Sequence, residues 1–216
     1  MKSTTRLHTE LIRGKQDLRK IFHISIGMFG FLYPFMSRNI ILAAWIIALF
    51  CAWFLPRYVK AYDVFLTPDE KRKKFSPAMI SYAAVMLLAT LIFGDKMKDS
   101  AVVLLSVIAF GDGFAGLIGM NQGGTAIPYN SKKTISGTLA FIFFGTIGAL
   151  VMFFFLAVFT VNVPGRIGLG SLPIFRTLIV VVVSAIVETI PWKIPDNVSV
   201  GIAAIIALLL TMNLYH

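Results

Sequence analysis

Asp112 sits in Phe110-Gly-Asp-Gly-Phe-Ala-Gly-Leu-Ile-Gly119, within a segment otherwise apolar and long enough to cross a membrane. A carboxylate left facing lipid there costs about 3 kcal/mol or more, so it must meet a partner or a wet cavity. Gly111, Gly113, Gly116 and Gly119 permit close approach of a backbone or a ligand. Further along, Ser131-Lys132-Lys133-Thr134 precedes the next expected helix. Ser131, Thr134 or Ser136 can cap that helix, whereas lysines at its N-terminus oppose its dipole. A bound anion reconciles the two, because N-terminal amides and lysines both favour phosphate. Asn121, Gly123 and Gly124 supply a flexible approach to this loop.

Glu188 and Asp196 flank Pro191-Trp-Lys-Ile-Pro195, whose two prolines restrict the backbone and hold the carboxylates at a set separation. Asn197 follows, and His23 opens the first apolar stretch. Together these residues suit the handling of phosphate at a membrane surface. Each has a plainer alternative. Asp112 is otherwise an ion site or a structural carboxylate, the lysine pair a positive anchor, and His23 an interfacial histidine. Glu188 and Asp196 are otherwise the solvated acids of a loop. Lys71-Arg-Lys-Lys74 reads as an anchor for anionic lipid.

The elements that position these residues are helices in a membrane. With 57% hydrophobic residues, 14% charged residues and a mean hydropathy of +0.82, the chain is no soluble globular domain. We expect an all-α polytopic transmembrane helical bundle of about seven spans, at roughly 21–36, 40–56, 77–93, 100–120, 135–161, 172–190 and 197–214. Residues 1–20 form a cytoplasmic basic arm and 21–216 a single transmembrane domain carrying the chemistry. No removable signal peptide is expected, since the first apolar stretch begins only at Ile21. The stretch 21–36 is short enough to be re-entrant.

The net charge of +10 is explained by topology rather than by nucleic acid. Fifteen of the twenty Lys and Arg fall in the arm, the 57–76 linker, the 121–134 loop and the 191–196 turn. Arg38, Lys96, Lys98, Arg166 and Arg176 occupy the alternate connections. The positive-inside tendency then puts the N-terminus in the cytoplasm and the C-terminus on the other side. In that topology Asp112, Glu188, Asp196, Asn197, Lys132, Lys133 and His23 all converge near the cytoplasmic face. Cys51 is the only cysteine, so neither a disulfide nor a thiolate metal site can form. His8, His23 and His216 are too scattered for a zinc site.

Four stretches resemble the CTP-dependent lipid-alcohol kinases, a family that includes dolichol, phytol and farnesol kinases and the CTP-dependent diacylglycerol kinases, and is related to the phosphatidate cytidylyltransferases. Arg19-Lys20-Ile-Phe-His23-Ile-Ser-Ile-Gly27 is similar to the family's Arg-Lys-x-x-His segment. Gly111-Asp112-Gly-Phe-Ala-Gly-Leu-Ile-Gly119 resembles its Gly-Asp-x-x-Ala-x-x-x-Gly motif. Lys133-Thr134-Ile-Ser136-Gly137-Thr138-Leu-Ala140 resembles its Lys-Ser-x-Glu-Gly-Ser-x-Ala motif. Glu188, with Asp196-Asn197-Val-Ser-Val, looks like its Glu…Asp-Asn-x-x-x-Pro ending. Ser136 stands where many relatives have Glu, and Gly201 replaces the usual Pro, with an expected effect on the helix start alone.

The resemblance implies transfer of the γ-phosphate of CTP to the hydroxyl of a lipid alcohol at the cytoplasmic surface, the acceptor being of polyprenol, phytol or dolichol type or diacylglycerol. Such transfer needs Mg²⁺, cations and an acceptor held in line. Asp112 and Asp196 are expected to hold Mg²⁺, with Glu188 or Asn197 completing the set. Lys132, Lys133, Thr134, Ser136 and amides around Gly137 would cradle the triphosphate. Asp112 would also orient or deprotonate the acceptor, with His23 nearby. The tail would arrive sideways along the small-residue face of span 100–120. The rival readings are a cytidylyltransferase making a CDP-lipid and a small ion-coupled transporter.

Overall fold

The structure is a computed structural model in which residues 18–95, 97–122, 124–160 and 174–211 are described. His8, most of the basic arm, Lys96, Gly123, Arg166 and His216 lie outside the described residues. Helix α1 (18–27) tightens into a 3₁₀ segment, Met28–Phe35, that contains Pro34. There follow α2 (Arg38–Tyr58), the short basic α3 (Pro68–Lys73) and α4 (Pro77–Phe93). Helix α5 (Lys98–Ser106) runs through a π-helical turn, Val107–Asp112, directly into α6 (Gly113–Gln122). A two-stranded antiparallel hairpin, β1 (Ala126–Ile127) and β2 (Asn130–Thr134), leads into α7 (Ile135–Thr160). Helices α8 (Ile174–Thr189) and α9 (Asp196–Leu210) complete the described fold.

Three helices are long and apolar enough to cross a membrane: Arg38–Tyr58, Lys98–Asn121 and Ile135–Thr160. Pro77–Phe93 and Asp196–Leu210 are apolar but shorter. Of the seven expected spans, therefore, three meet that length among the described residues. The first, 21–36, is two different helical pieces, α-helix to Gly27 and 3₁₀ from Met28, and it stops one residue after Pro34, which offers no amide. The fold is all-α as expected, with one short two-stranded hairpin in the loop between α6 and α7. Its signal is Pro128, which presets the backbone for a two-residue turn between Ile127 and Asn130.

The α5–π–α6 rod is the centre of the bundle, and every residue of α5 is buried. Helix α7 packs along it, α8 against α9, and α2 against α4. Ile46, Ile47, Phe50, Phe143 and Phe154 on α2 and α7 are exposed, as a lipid-facing surface requires. The small residues of the central rod are packed rather than open. A Cβ on Gly116 would stand 2.3 Å from Lys20 Cε, and one on Gly113 would stand 2.4 Å from Ile24 Cγ1. Phe141 fills the space at Gly111, and Gly137 of α7 faces Gly119. The face expected to admit a tail is thus taken up by Phe141 at Gly111 and by Ile24 at Gly113, whereas Gly116 and Gly119 line a cavity beside Lys133.

A second correction lies at the opposite end of the bundle. Arg176, near the start of α8, donates to Asp99 Oδ2 (3.3 Å), Ser100 Oγ (2.9 Å), the Leu208 carbonyl (3.1 Å) and Thr211 Oγ1 (3.2 Å). It lies twelve residues from Glu188 on the same helix, or about 18 Å along it. The unusual polar residues thus form two groups. The first is the expected convergence, and the second is a buried ion pair with its remaining donors satisfied, a structural clamp among α5, α8 and α9.

Gly201 is corrected as well. It lies inside α9, where a Cβ would stand 2.4 Å from Val85 Cγ1 of α4. Its role is to let α4 and α9 touch rather than to shape the start of the helix.

Candidate active site

Asp112 closes the π-helical turn, and the extra residue in that turn rotates the carboxylate relative to the α-helix before it. Asp112 is 6% exposed and meets α1. Lys20 Nζ donates to Asp112 Oδ2 at 2.9 Å and to the Asp112 carbonyl at 3.3 Å. His23 lies one helical turn on, with Nε2 3.0 Å from the Ile108 carbonyl and 3.8 Å from Asp112 Oδ2. The carbonyl accepts, so Nε2 carries the proton. Lys20 and His23 share a face of α1 because they are three residues apart.

Glu188 is the penultimate residue of α8, and Asp196 is the first residue of α9. The bend between them returns the chain through Trp192, whose amide donates to Ile190 O (2.8 Å) and whose ring nitrogen donates to Val187 O (3.2 Å). The turn brings both carboxylates to Asp112. One oxygen from each of Asp112, Glu188 and Asp196 lies within 4.8 Å of the others. Lys133 reaches into this group from β2, donating to Glu188 Oε1 and, at 2.7 Å, to Asp196 Oδ2. Burial works against the Lys133 ammonium, but the carboxylates of Glu188, Asp112 and Asp196 hold its pKa above the ordinary 10.5. Two ammonium groups thus face three carboxylates. Hard oxygen donors at this spacing suit Mg²⁺.

The hairpin is held in place by α8. Asn130 Nδ2 donates to the Thr189 carbonyl (2.8 Å), Asn130 Oδ1 accepts from the Lys132 amide (3.2 Å), and the Tyr129 and Thr189 hydroxyls are 2.7 Å apart. Thr134 caps α7, its Oγ1 accepting from the Gly137 amide at 3.1 Å. The Ser136 hydroxyl is 3.2 Å from Thr134 Oγ1. The Gly137 amide, expected to face phosphate, is therefore occupied within the cap. Asn197 Nδ2 donates to the Ala78 carbonyl (2.7 Å), so this amide ties α9 to α4 beside the acidic cluster.

Two cavities share this cluster. A cavity of about 260 Å³ is lined by Lys132, Lys133, Thr134, Gly137 and Glu188. A larger one of about 540 Å³ is largely apolar, with Ile26, Trp45, Ala48, Leu55 and Met79 in its wall. Lys20, Asp112 and Asp196 line both. Tyr82 also lines the larger cavity, and its buried hydroxyl has no hydrogen-bond partner among the described residues.

Sequence reasoning quoted Lys20 in the Arg-Lys-x-x-His segment but gave it no role in the site, counting it with the basic arm although it lies one turn before His23, and it passed over Glu70. Glu70 forms a capping box with Thr67 and accepts from Arg19 Nη1 (3.1 Å) and Ser76 Oγ (2.6 Å). The Thr-Pro-Asp-Glu string was the available signal for the cap. The arm boundary at residue 20 falls inside α1.

No protein-family profile and no solved structure match the chain. It is 28% identical over 206 residues to "Probable phytol kinase 1, chloroplastic" of Oryza sativa subsp. japonica, covering 88% of this chain and 62% of the relative. It is 29% identical over 210 residues to "Probable phytol kinase, chloroplastic" of Triticum aestivum, covering 90% and 67%. To "Farnesol kinase, chloroplastic" of Arabidopsis thaliana it is 25% identical over 128 residues, covering 58% and 40%. The chain spans about half to two thirds of the length of the first of these curated relatives. The resemblance carried by the four motifs therefore has curated counterparts, and the chain is similar to proteins named phytol kinase and farnesol kinase.

Proposed function

We propose that the chain is an integral-membrane kinase that passes the γ-phosphate of CTP to the hydroxyl of a lipid alcohol at the cytoplasmic face. One observation carries this reading: Lys20, Asp112 and Asp196 are the common wall of a lysine-bearing cavity and an apolar one. A phosphoryl group has to cross such a wall, from a polyanion on one side to a greasy alcohol on the other. CTP as donor follows from the motif resemblance.

Asp112, Glu188 and Asp196 would hold Mg²⁺, which would supply positive charge against the charge developing on the phosphoryl group. Lys132 and Lys133 bind the triphosphate, with Lys133 exchanging its carboxylate partners for phosphate oxygens. Lys20 steadies Asp112 and presents positive charge to the group in transit. Asp112 accepts the proton of the acceptor hydroxyl as its oxygen bonds to the γ-phosphorus. The bond from that phosphorus to the β–γ bridging oxygen breaks, and CDP leaves. The apolar walls keep water from competing as acceptor.

The purified chain, given CTP, Mg²⁺ and a prenol, should release CDP in proportion to lipid phosphate. Pyrophosphate release with phosphatidate as co-substrate would instead identify a cytidylyltransferase. Nucleotide-independent uptake into liposomes would identify a transporter.

A further inference from the structure

The apolar cavity has a closed end, and the geometry there points to a device that measures its occupant. Given that the acceptor is a lipid alcohol, we infer that Trp45, at the end of this cavity, sets the length of the tail accepted.

The polar end is fixed by Asn197, whose amide donates to the Ala78 carbonyl beside Asp196. From there the wall follows α4 through Met79 to Tyr82 and Ala83, and α2 from Leu55 back to Trp45. Ten residues of α2 separate Leu55 from Trp45, so the cavity runs about 15 Å along that helix. Ala48 and Ala52 leave the space between them open.

Trp45 then ends it. Its Nε1 donates to the buried Tyr33 hydroxyl at 3.0 Å, and its ring meets Phe29 edge-on at 5.5 Å and Tyr82 at 5.9 Å. At 3% exposure, and with its one donor satisfied, the indole is fixed in place. A volume of about 540 Å³ over this length suits one branched hydrocarbon tail. A diacylglycerol would need room for two acyl chains in the same length. A long polyprenol would meet Trp45 before its hydroxyl reached Asp112.

Cys51 lines this cavity and is the only cysteine of the chain, so its alkylation reports occupancy without nucleotide or turnover. In the purified full chain, geranylgeraniol should slow alkylation of Cys51 by a small maleimide, and a diacylglycerol should not. Ala48→Phe should abolish protection by geranylgeraniol while retaining it for farnesol. Trp45→Ala should extend protection to a longer polyprenol. If Trp45→Ala does not fold, Ala48→Phe tests the same length limit from inside the cavity. Equal protection by diacylglycerol, no protection by geranylgeraniol, or an unchanged ranking of tails in the folded variants would overturn the inference. Protection that follows tail length without phosphoryl transfer would leave the length limit standing and remove the kinase reading. Phosphoryl transfer with unaltered tail ranking would do the reverse.

Discussion

Lys20 Nζ lies 2.9 Å from Asp112 Oδ2, and these two side chains stand where the lysine-bearing cavity meets the apolar one. The pair joins the first described helix to the π-helical turn at the centre of the bundle. Lys20 is partly exposed and also donates to the Asp112 carbonyl, whereas the Asp112 carboxylate is buried, so loss of the lysine charge would strip a buried carboxylate of its hydrogen-bonded cation.

Replacing Asp112 by Asn keeps its size and removes the charge. Phosphoryl transfer should fall by about a hundredfold or more, the scale seen when a preorganised electrostatic group is lost. Helix content by circular dichroism should be unchanged. Near-normal turnover in the folded variant would remove Asp112 from the chemistry.

Lys133 is the cation held by Glu188 and Asp196. Lys133→Ala should weaken nucleotide binding and leave Glu188, 4% exposed, without its counter-charge. Breaking such a pair costs about 3 kcal/mol in a buried setting, less here because Asp196 is partly exposed. Adding Glu188→Gln should restore much of the thermal stability and none of the nucleotide binding. Thermal melts and equilibrium binding of CTP separate the two effects.

How legible this site was depended on whether a residue announced itself by its type. Asp112, Glu188 and Asp196 did, because carboxylates in or beside apolar segments are expensive, and the structure gathers them into one cluster. Thr134 was one of three capping candidates and is the one whose hydroxyl accepts from the Gly137 amide. Lys20 was quoted within a motif but given no role, since one lysine of a basic arm looks like topology until its helix register is known. The Arg176–Asp99 clamp was hidden for the same reason, because Arg176 read as a loop charge and lies inside α8. The glycines of the central rod signalled close approach correctly, yet their partners are α1 and α7, which periodicity alone cannot assign. The hairpin was short enough for a polar loop to conceal it.

Gly201 carries a packing prediction. Gly201→Ala places a Cβ 2.4 Å from Val85 Cγ1 and should lower stability by about 1–3 kcal/mol, the usual cost of overpacking. Gly201→Pro, the residue that the resembled motif carries at this position, should cost more, because it adds the loss of a helix hydrogen bond. Thermal unfolding in detergent reads both, and an unchanged melt for Gly201→Ala would show that α4 and α9 can separate at no cost.

Glu70 gives a dependence on pH. Burial raises its pKa, but the Ser76 hydroxyl, the Thr67 amide and Arg19 together hold it below the ordinary 4.5. A carboxyl with a depressed folded pKa contributes stability that is fully present above its unfolded value and is lost as pH falls through the folded one. The melting-temperature gap between the native chain and Glu70→Gln should therefore be constant above pH 4.5 and close below it. A gap that widens on acidification would contradict the arrangement around Arg19.

The most direct measurement is transfer of radioactive γ-phosphate from CTP into the lipid phase by the purified chain with Mg²⁺ and geranylgeraniol, run beside Asp112→Asn and beside a sample stripped with a chelator. The account predicts labelled prenyl phosphate from the native chain alone, restored to the stripped sample when Mg²⁺ is returned. Absence of lipid label from the folded native chain, or equal label from Asp112→Asn, would contradict it.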